Sequence, residues 1–341
     1  MTLASLNFAH LIRLTDDTGL LEHARLAVPR RGTGYCVDDA ARGLLVISRE
    51  DPLPPSLARL GECYLSLLSF AQVPDGRCHN RLGYDRRWED EAGLGDWWGR
   101  ALWGLGTAAG SHADPWIRDG ALEGFHQSAQ CRSDAPRAMA FAALGAAEIL
   151  RAHPGDPAAV ALIAAAVKAI GPARPSSRLP AWPWPEPRLA YANAVFPEAL
   201  IAAGVSLGDD RLVARGLDLL DWLLDIETHC DHLSVTPVGG WAPGDPRPAF
   251  DQQAIEVAAL ADACARAFTV SPDTRWSEGI ARAVGWFLGN NDAGVAMMDP
   301  ATGGGFDGLS AAGRNANQGA ESTLALISTL QQSRRFVPST V

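Results

Sequence analysis

The chain has 341 residues, 47% hydrophobic and 20% charged, and its 39 acidic against 29 basic side chains leave a net charge of −10. A negative field of this size repels phosphate backbones and anionic headgroups, and no basic patch interleaved with aromatics reverses it locally, so nucleic acid and membrane are not expected partners. The longest nearly uncharged stretches, 138–147 and 158–167, fall short of the roughly 20 residues that cross a bilayer.

The amino terminus lacks a basic region followed by an apolar run, and the six scattered cysteines (36, 63, 78, 131, 230, 264) show no paired spacing. Reduced thiols and a cytoplasmic location are expected. In chain order, apolar periodicity punctuated by Gly, Pro and Asp predicts helices over 3–14, 35–49, 55–72, 96–110, 114–127 and 135–151. Six more follow over 156–171, 191–206, 209–226, 251–269, 273–289 and 316–332.

These segments alternate in character. Those starting near 35, 96, 135, 191, 251 and 316 are rich in Ala, Gly and Ser beyond their first turns, as helices buried on all sides must be. Their partners carry an apolar stripe and a charged face, as in 211–225. The links alternate too: 50–54, 110–113 and 207–208 are short, whereas 15–34, 73–95, 172–190, 227–250 and 290–315 exceed the roughly 12 to 15 residues at which loops become uncommon and often functional. This is the pattern of an all-α fold, a six-hairpin α/α toroid of inner and outer rings spanning 1–341 as one domain, with the first helix completing the outer ring. A solenoid would have a near-constant period, which these spacings lack.

In a toroid the starts of the inner helices meet at one mouth. Here they read Tyr35-Cys36-Val37-Asp38-Asp39-Ala40-Ala41-Arg42, Asp96-Trp97-Trp98-Gly99-Arg100, Ser133-Asp134, Tyr191-Ala192-Asn193, Asp251-Gln252-Gln253 with Glu256, and Asn317-Gln318 with Glu321. Helix capping accounts for Asp134 but not for several donors and acceptors together in alanine-rich text. Such clusters are either satisfied networks or sites for a polar ligand, and carboxylates, amides and arginines suit a sugar. The long loops add aromatic faces at Tyr84, Trp88, Trp182, Trp184, Trp241 and Phe306, of which about half are expected in the core because large aromatics dominate cores.

Other constellations carry less. His229-Cys230-Asp231-His232 lacks further ligands at zinc spacing, and the segment from Asp299 to Asp307 reads as glycine turns before it reads as a calcium loop. Gly303-Gly304-Gly305 follows no strand and opens no helix, and Cys36 has no histidine partner in sight. No metal and no cofactor are expected.

Several strings in order resemble a bacterial family of six-hairpin toroids found as the C-terminal extension of group-one, mannosyltransferase-like glycosyltransferases, or standing alone. They are 10–19 (HLIRLTDDTG), 34–42 (GYCVDDAAR), 83–88 (GYDRRW), 99–103 (GRALW), 196–200 (FPEAL) and 317–324 (NQGAESTL), so the resemblance covers the full length. Two positions depart from it: Ala40 and Ala192 stand where family members commonly carry Asn and Asp. The paired aspartates also look like those of toroidal α-mannanases, which implies one nucleophile and one general acid.

The leading reading is therefore a glycoside hydrolase acting on a mannose-type oligosaccharide or glycan. One carboxylic acid protonates the leaving oxygen while a second carboxylate attacks or activates water. Asp38 and Asp39 are the first choice, with Asp96, Asp251 and Glu321 as alternates. Arg42 and Arg100 would orient a carboxylate, Tyr35, Tyr84, Trp88 and Trp97 would offer ring faces, and Asn193, Gln252, Gln253, Asn317 and Gln318 would hold hydroxyls. One alternative is a catalytically silent sugar-binding module serving a separate glycosyltransferase, which the two departures favour. The other is a sugar epimerase, disfavoured because no inner helix opens with histidine.

Overall fold

The computed structural model describes residues 6–172 and 182–337. All twelve expected helices are present: α1 (Ala9–Leu14), α2 (Val37–Ser48), α3 (Pro55–Ala71), α4 (Asp96–Ser111), α5 (Pro115–Ser128), α6 (Pro136–Ala152), α7 (Pro157–Ile170), α8 (Val195–Leu207), α9 (Asp210–Ile226), α10 (Ala254–Val270), α11 (Thr274–Phe287) and α12 (Ala320–Phe336). Among the described residues no helix is long and apolar enough to cross a membrane, and all six cysteines are free thiols.

Besides α1, whose described residues 6–8 are not helical, three helices start three or more residues later than periodicity suggests, at 195, 254 and 320 rather than 191, 251 and 316. The residues ahead of them are held by loop backbone instead of by the next helical turn. Gln252 exchanges both backbone hydrogen bonds with Leu309, and Asp307 donates to the Asn317 carbonyl. Alpha-helix 1 begins at Ala9, and positions 3–5 of its expected span lie outside the described residues.

Five two-stranded antiparallel ladders stiffen the long loops: β1 (Ala24–Arg25) with β2 (Val28–Pro29), β3 (Tyr35–Cys36) with β4 (Arg81–Leu82), β5 (Thr228–His229) with β6 (His232–Leu233), β7 (Met298–Asp299) with β8 (Gly304–Gly305), and β9 (Leu309–Ser310) with β10 (Gly313–Arg314). Ladders of two residues are too short to show alternation in sequence. Between β5 and β6, Cys230 and Asp231 both take positive φ, the geometry of a two-residue hairpin turn. The His-Cys-Asp-His string is thereby a hairpin.

The chain forms two compact units. The amino-terminal unit comprises Leu11–Ile170 with Ala202–Asp210, and the carboxy-terminal unit comprises the described residues of Met1–His10, Gly171–Ile201 and Arg211–Val341. In the amino-terminal unit α2, α4 and α6 are buried nearly all round, while α3, α5 and α7 bury one face each. Small residues make this possible: a Cβ placed on Gly145 of α6 would fall 2.1 Å from the Leu102 carbonyl of α4, and one on Gly106 would fall 2.3 Å from the Gly145 carbonyl. The two backbones touch. In the carboxy-terminal unit α10 and α12 are the buried helices and α9 and α11 the amphipathic ones.

Candidate active site

The chemistry-bearing residues of the amino-terminal unit gather where α2 and α4 begin. Cys36, the residue before α2, caps nothing with its side chain. A distant loop does the capping: the Asn80 carbonyl accepts the Val37 N–H (2.9 Å), and Asn80 Oδ1 accepts the Asp38 N–H (3.3 Å). Asp90 fixes that loop in turn, accepting the backbone N–H groups of Asn80 (2.7 Å) and Arg81 (3.1 Å), while its carbonyl accepts from His79 Nδ1 (2.8 Å). Trp97 Nε1 donates to the Cys78 carbonyl (2.8 Å), and its ring lies where a Cβ on Gly95 would fall 2.2 Å away. Trp97 thus packs the loop onto α4.

On this frame Arg42 Nη2 donates to Asp38 Oδ2 (3.1 Å) and Asp39 Oδ1 (2.7 Å), and Arg100 Nη1 donates to Asp38 Oδ2 (3.2 Å). Arg100 is 4% exposed and lies 4.4 Å from the Phe141 ring centroid. The two aspartates differ. Asp39 is 2% exposed, whereas the Asp38 side chain keeps 18% of its surface; Asp38 Oδ1 is itself buried and has no hydrogen-bond partner among the described residues. Asp96 opens α4 one turn before Arg100, on the same helix face.

Around this cluster the aromatic residues divide. Tyr35 is buried and its hydroxyl donates to Asp16 Oδ2 (2.7 Å); burial, then Asp16, push its phenol well above the ordinary range. Tyr35, expected to offer a ring face, lies in the core. Trp88 is half-buried between His79 (ring centroids 4.7 Å apart) and Phe70 (5.1 Å). Tyr84, stacked on Tyr35 and 48% exposed, offers an open ring.

Burial, followed by Asp39, Asp38 and Glu22, pushes the Cys36 thiol far above its ordinary value, which disfavours the thiolate. Glu22, Cys36 and Asp39 offer metal-ligand atoms within 4.8 Å of one another. Arg81 on Glu22 and Arg42 on Asp39 already supply the positive charge such a site would need.

The remaining candidates belong to the carboxy-terminal unit, where buried amides are spent on the fold. Gln252 accepts from Trp286 Nε1 (2.8 Å) through Oε1 and donates from Nε2 to the Ala249 carbonyl (2.7 Å) and to Asp292. Gln318 donates to Asp299 Oδ2 (3.0 Å), accepts from Thr302 Oγ1 (2.7 Å), and its carbonyl accepts from His10 Nε2 (2.8 Å). Asn193 donates through its backbone N–H (3.1 Å) and Nδ2 (3.3 Å) to Glu256 Oε2 and accepts from the Ala190 N–H (3.0 Å). In this structure the three tie loops and helix starts together.

Gln253 stands half-buried before α10, Asn317 half-buried ahead of α12, Glu321 in the first turn of α12, and Asp251 is exposed. Asp299 and Asp307 serve turns and the start of α12, accepting from Ala301 N–H (2.9 Å) and from Gly319 N–H (2.6 Å) and Ser322 Oγ (2.8 Å) respectively. Trp98 and Trp184 are fully buried, Phe306 is buried with Arg314 over its ring, and Trp182 meets Trp222 and Trp241 edge-on.

Sequence reasoning missed His79, Asn80 and Asp90, which position the start of α2. It also missed Glu227, whose Oε1 accepts from the Thr236 N–H (3.0 Å) and hydroxyl. Burial pushes that carboxyl up to about 7, against the pull of the Thr236 hydrogen bonds. No local signal marks the first three; Glu227 announces itself only as an acid just past a helix end.

No protein-family model and no curated protein matches the chain. Solved structures do. A cellobiose 2-epimerase from Bacillus thermoamylovorans is similar at a TM-score of 0.71 with 10% identity over 95% of each chain. A sugar epimerase from a ruminal bacterium is similar at 0.67 with 12% identity, over 96% of this chain and 95% of that one. A GH76 α-mannanase from Bacteroides thetaiotaomicron is similar at 0.61 with 8% identity, over 88% and 86%. The fold is the all-α toroid. At these identities the likeness speaks to fold alone, and none of the three is a glycosyltransferase extension.

Proposed function

We propose that the chain is a carbohydrate-active enzyme, a glycoside hydrolase for mannose-type oligosaccharides, working from the cluster at the starts of α2 and α4. The observation that carries this reading is Asp38. One carboxylate oxygen is held by two guanidinium groups, and the other is buried with no hydrogen-bond partner among the described residues, so the group is oriented and carries an unsatisfied oxygen that a reacting atom would pair.

In this reading Asp38 attacks the anomeric carbon or takes a proton from the attacking water. Asp96 protonates the leaving oxygen as the glycosidic C–O bond breaks, and water supplies the new hydroxyl. Asp39, buried against Arg42, is a positioning residue. Tyr84 carries a sugar ring, and Arg100 sets the Asp38 rotamer. The motif resemblance adds a separate glycosyltransferase as the partner enzyme of the same glycan.

The test is time-resolved proton NMR of the protein with α- and β-linked manno-oligosaccharides, beside Asp38→Asn. New anomeric signals that the variant fails to produce support the hydrolase, and the first anomer gives the stereochemistry. Appearance of a 2-epimer with deuterium at C2 in D2O, and no cleavage, overturns it in favour of an epimerase.

A further inference from the structure

Outside the carboxylate cluster, the amino-terminal unit carries a second concavity between two of its amphipathic helices. A groove with a cavity volume of about 360 Å³ runs between α3 and α5. Small residues line it on both sides, Ser66 and Ser69 from α3 and Gly120 and Gly124 from α5. Leu65 and Leu105 form its apolar floor. Gln72 spans it, donating from Nε2 to the Gly124 carbonyl (2.7 Å) and Ser128 Oγ (2.7 Å), so its shape is pinned by the protein itself.

The lining is unusual in what it leaves unused. Trp116 is 55% exposed, whereas most tryptophans of this chain are buried or half-buried. Glu62 and Glu123 are exposed and in no ion pair among the described residues, and the Ser66 and Ser69 hydroxyls have no hydrogen-bond partner there either. An open indole face over an apolar floor stacks against the C–H face of a pyranose, and free hydroxyl and carboxylate oxygens around it accept from ring hydroxyls. The two carboxylates repel phosphorylated or uronic sugars.

We propose that this groove is an accessory binding site for one or two rings of a neutral oligosaccharide, separate from the Asp38 cluster. The proposal rests on the carbohydrate reading above. It assigns the groove to holding a glycan chain at a distance from the bond being cut.

The experiment uses the full chain with 15N-labelled tryptophan, the Trp116 indole signal being identified by its loss in Trp116→Phe. Mannotetraose and cellotetraose are titrated into wild type, Asp38→Asn and Gly120→Leu. The last variant fills the groove, since a Cβ at 120 meets only Leu65 Cδ2 at 3.4 Å. The expected result is a saturable shift of the Trp116 signal in wild type and Asp38→Asn, with affinity at least about tenfold weaker in Gly120→Leu.

If other tryptophan signals move and that of Trp116 does not, the groove proposal is overturned while the carbohydrate reading stands. If no signal moves with either sugar, the groove proposal is overturned, and the carbohydrate reading then falls only if the cleavage assay above also gives no new anomeric signals. A Trp116 shift produced by tetramethylammonium but by neither sugar also overturns the proposal, the groove then being a cation site.

Discussion

Replacing Asp38 and Asp39 one at a time by asparagine separates a reacting carboxylate from a positioning one. Asp38→Asn removes the charge that faces Arg100, a guanidinium only 4% exposed whose other neighbour is the Phe141 ring. Stripping a buried ion pair of one partner costs about 3 to 5 kcal/mol, and the amide oxygen that still accepts, together with the partial exposure of Asp38, reduces this to about 2. Asp39→Asn weakens its charge-assisted hydrogen bond to Arg42, at about 2 kcal/mol. At roughly 2 to 4 °C per kcal/mol for domains of about 150 to 250 residues, both variants should melt about 4 to 8 °C below wild type and stay folded at 25 °C. Their turnover should differ. Asp38→Asn should lose at least about 1000-fold in kcat, about 4 kcal/mol of transition-state stabilisation, and Asp39→Asn about tenfold, with KM little changed. Calorimetry and initial rates on the substrate that wild type cleaves check this pair. Equal loss of turnover in the two variants would refute the division of roles and restore a paired-aspartate mechanism; an Asp38→Asn variant above a tenth of wild-type kcat would refute the site.

Three further outcomes are expected. Glu227 has its carboxyl raised from 4.5 to about 7 by burial, so the stability it contributes is present below about pH 4.5 and lost as pH rises through 7; Glu227→Gln should match wild type near pH 5 and exceed it by up to about 3 kcal/mol near pH 8 in urea unfolding, and equal differences at the two pH values would contradict this. Gly145→Ala puts a methyl 2.1 Å from the Leu102 carbonyl, where backbone must move, and should cost about 2 to 4 kcal/mol by thermal melting; a cost below about 0.5 would show that α4 and α6 are not in backbone contact. Gln252→Leu deprives both Trp286 Nε1 and Asp292 of a partner and should cost about 2 to 4 kcal/mol while leaving KM for the cleaved sugar unchanged, so a raised KM at wild-type stability would return Gln252 to the ligand.

The helices were legible because periodicity and composition act locally. Proline opens α3, α5 and α6, where its fixed φ suits the first turn and its missing N–H costs nothing. The alanine- and glycine-rich text of α4 and α6 marks helices buried on all sides, and the structure brings their backbones into contact at Gly106 and Gly145. What sequence could not show is pairing between distant segments. Leu189 pairs with Trp241 just ahead of the expected start at 191, and Gln252 pairs with Leu309, holding the chain extended where 3.6-residue periodicity expects helix.

The candidate site was legible to the same depth. Two aspartates followed by an arginine at a helix start are visible in the string, but neighbouring residues on a helix point about 100° apart, so one position along decides which carboxylate faces the interior. Nothing in Asp38-Asp39 says which. The amides posed the converse problem, since Asn193, Gln252 and Gln318 in alanine-rich text read equally as sugar ligands and as structural pins. The physics favours pins. Five long loops must be fastened onto helices whose surfaces offer mostly methyl groups, and a buried backbone N–H or carbonyl left without a partner costs about 1 to 3 kcal/mol. A buried amide supplies donor and acceptor at once, and Gln252 uses both to join Ala249, Trp286 and Asp292. With these amides engaged, the proposed reading assigns the ligand to other groups: the Asp38 carboxylate, the open ring of Tyr84, and the indole and carboxylates along the groove between α3 and α5.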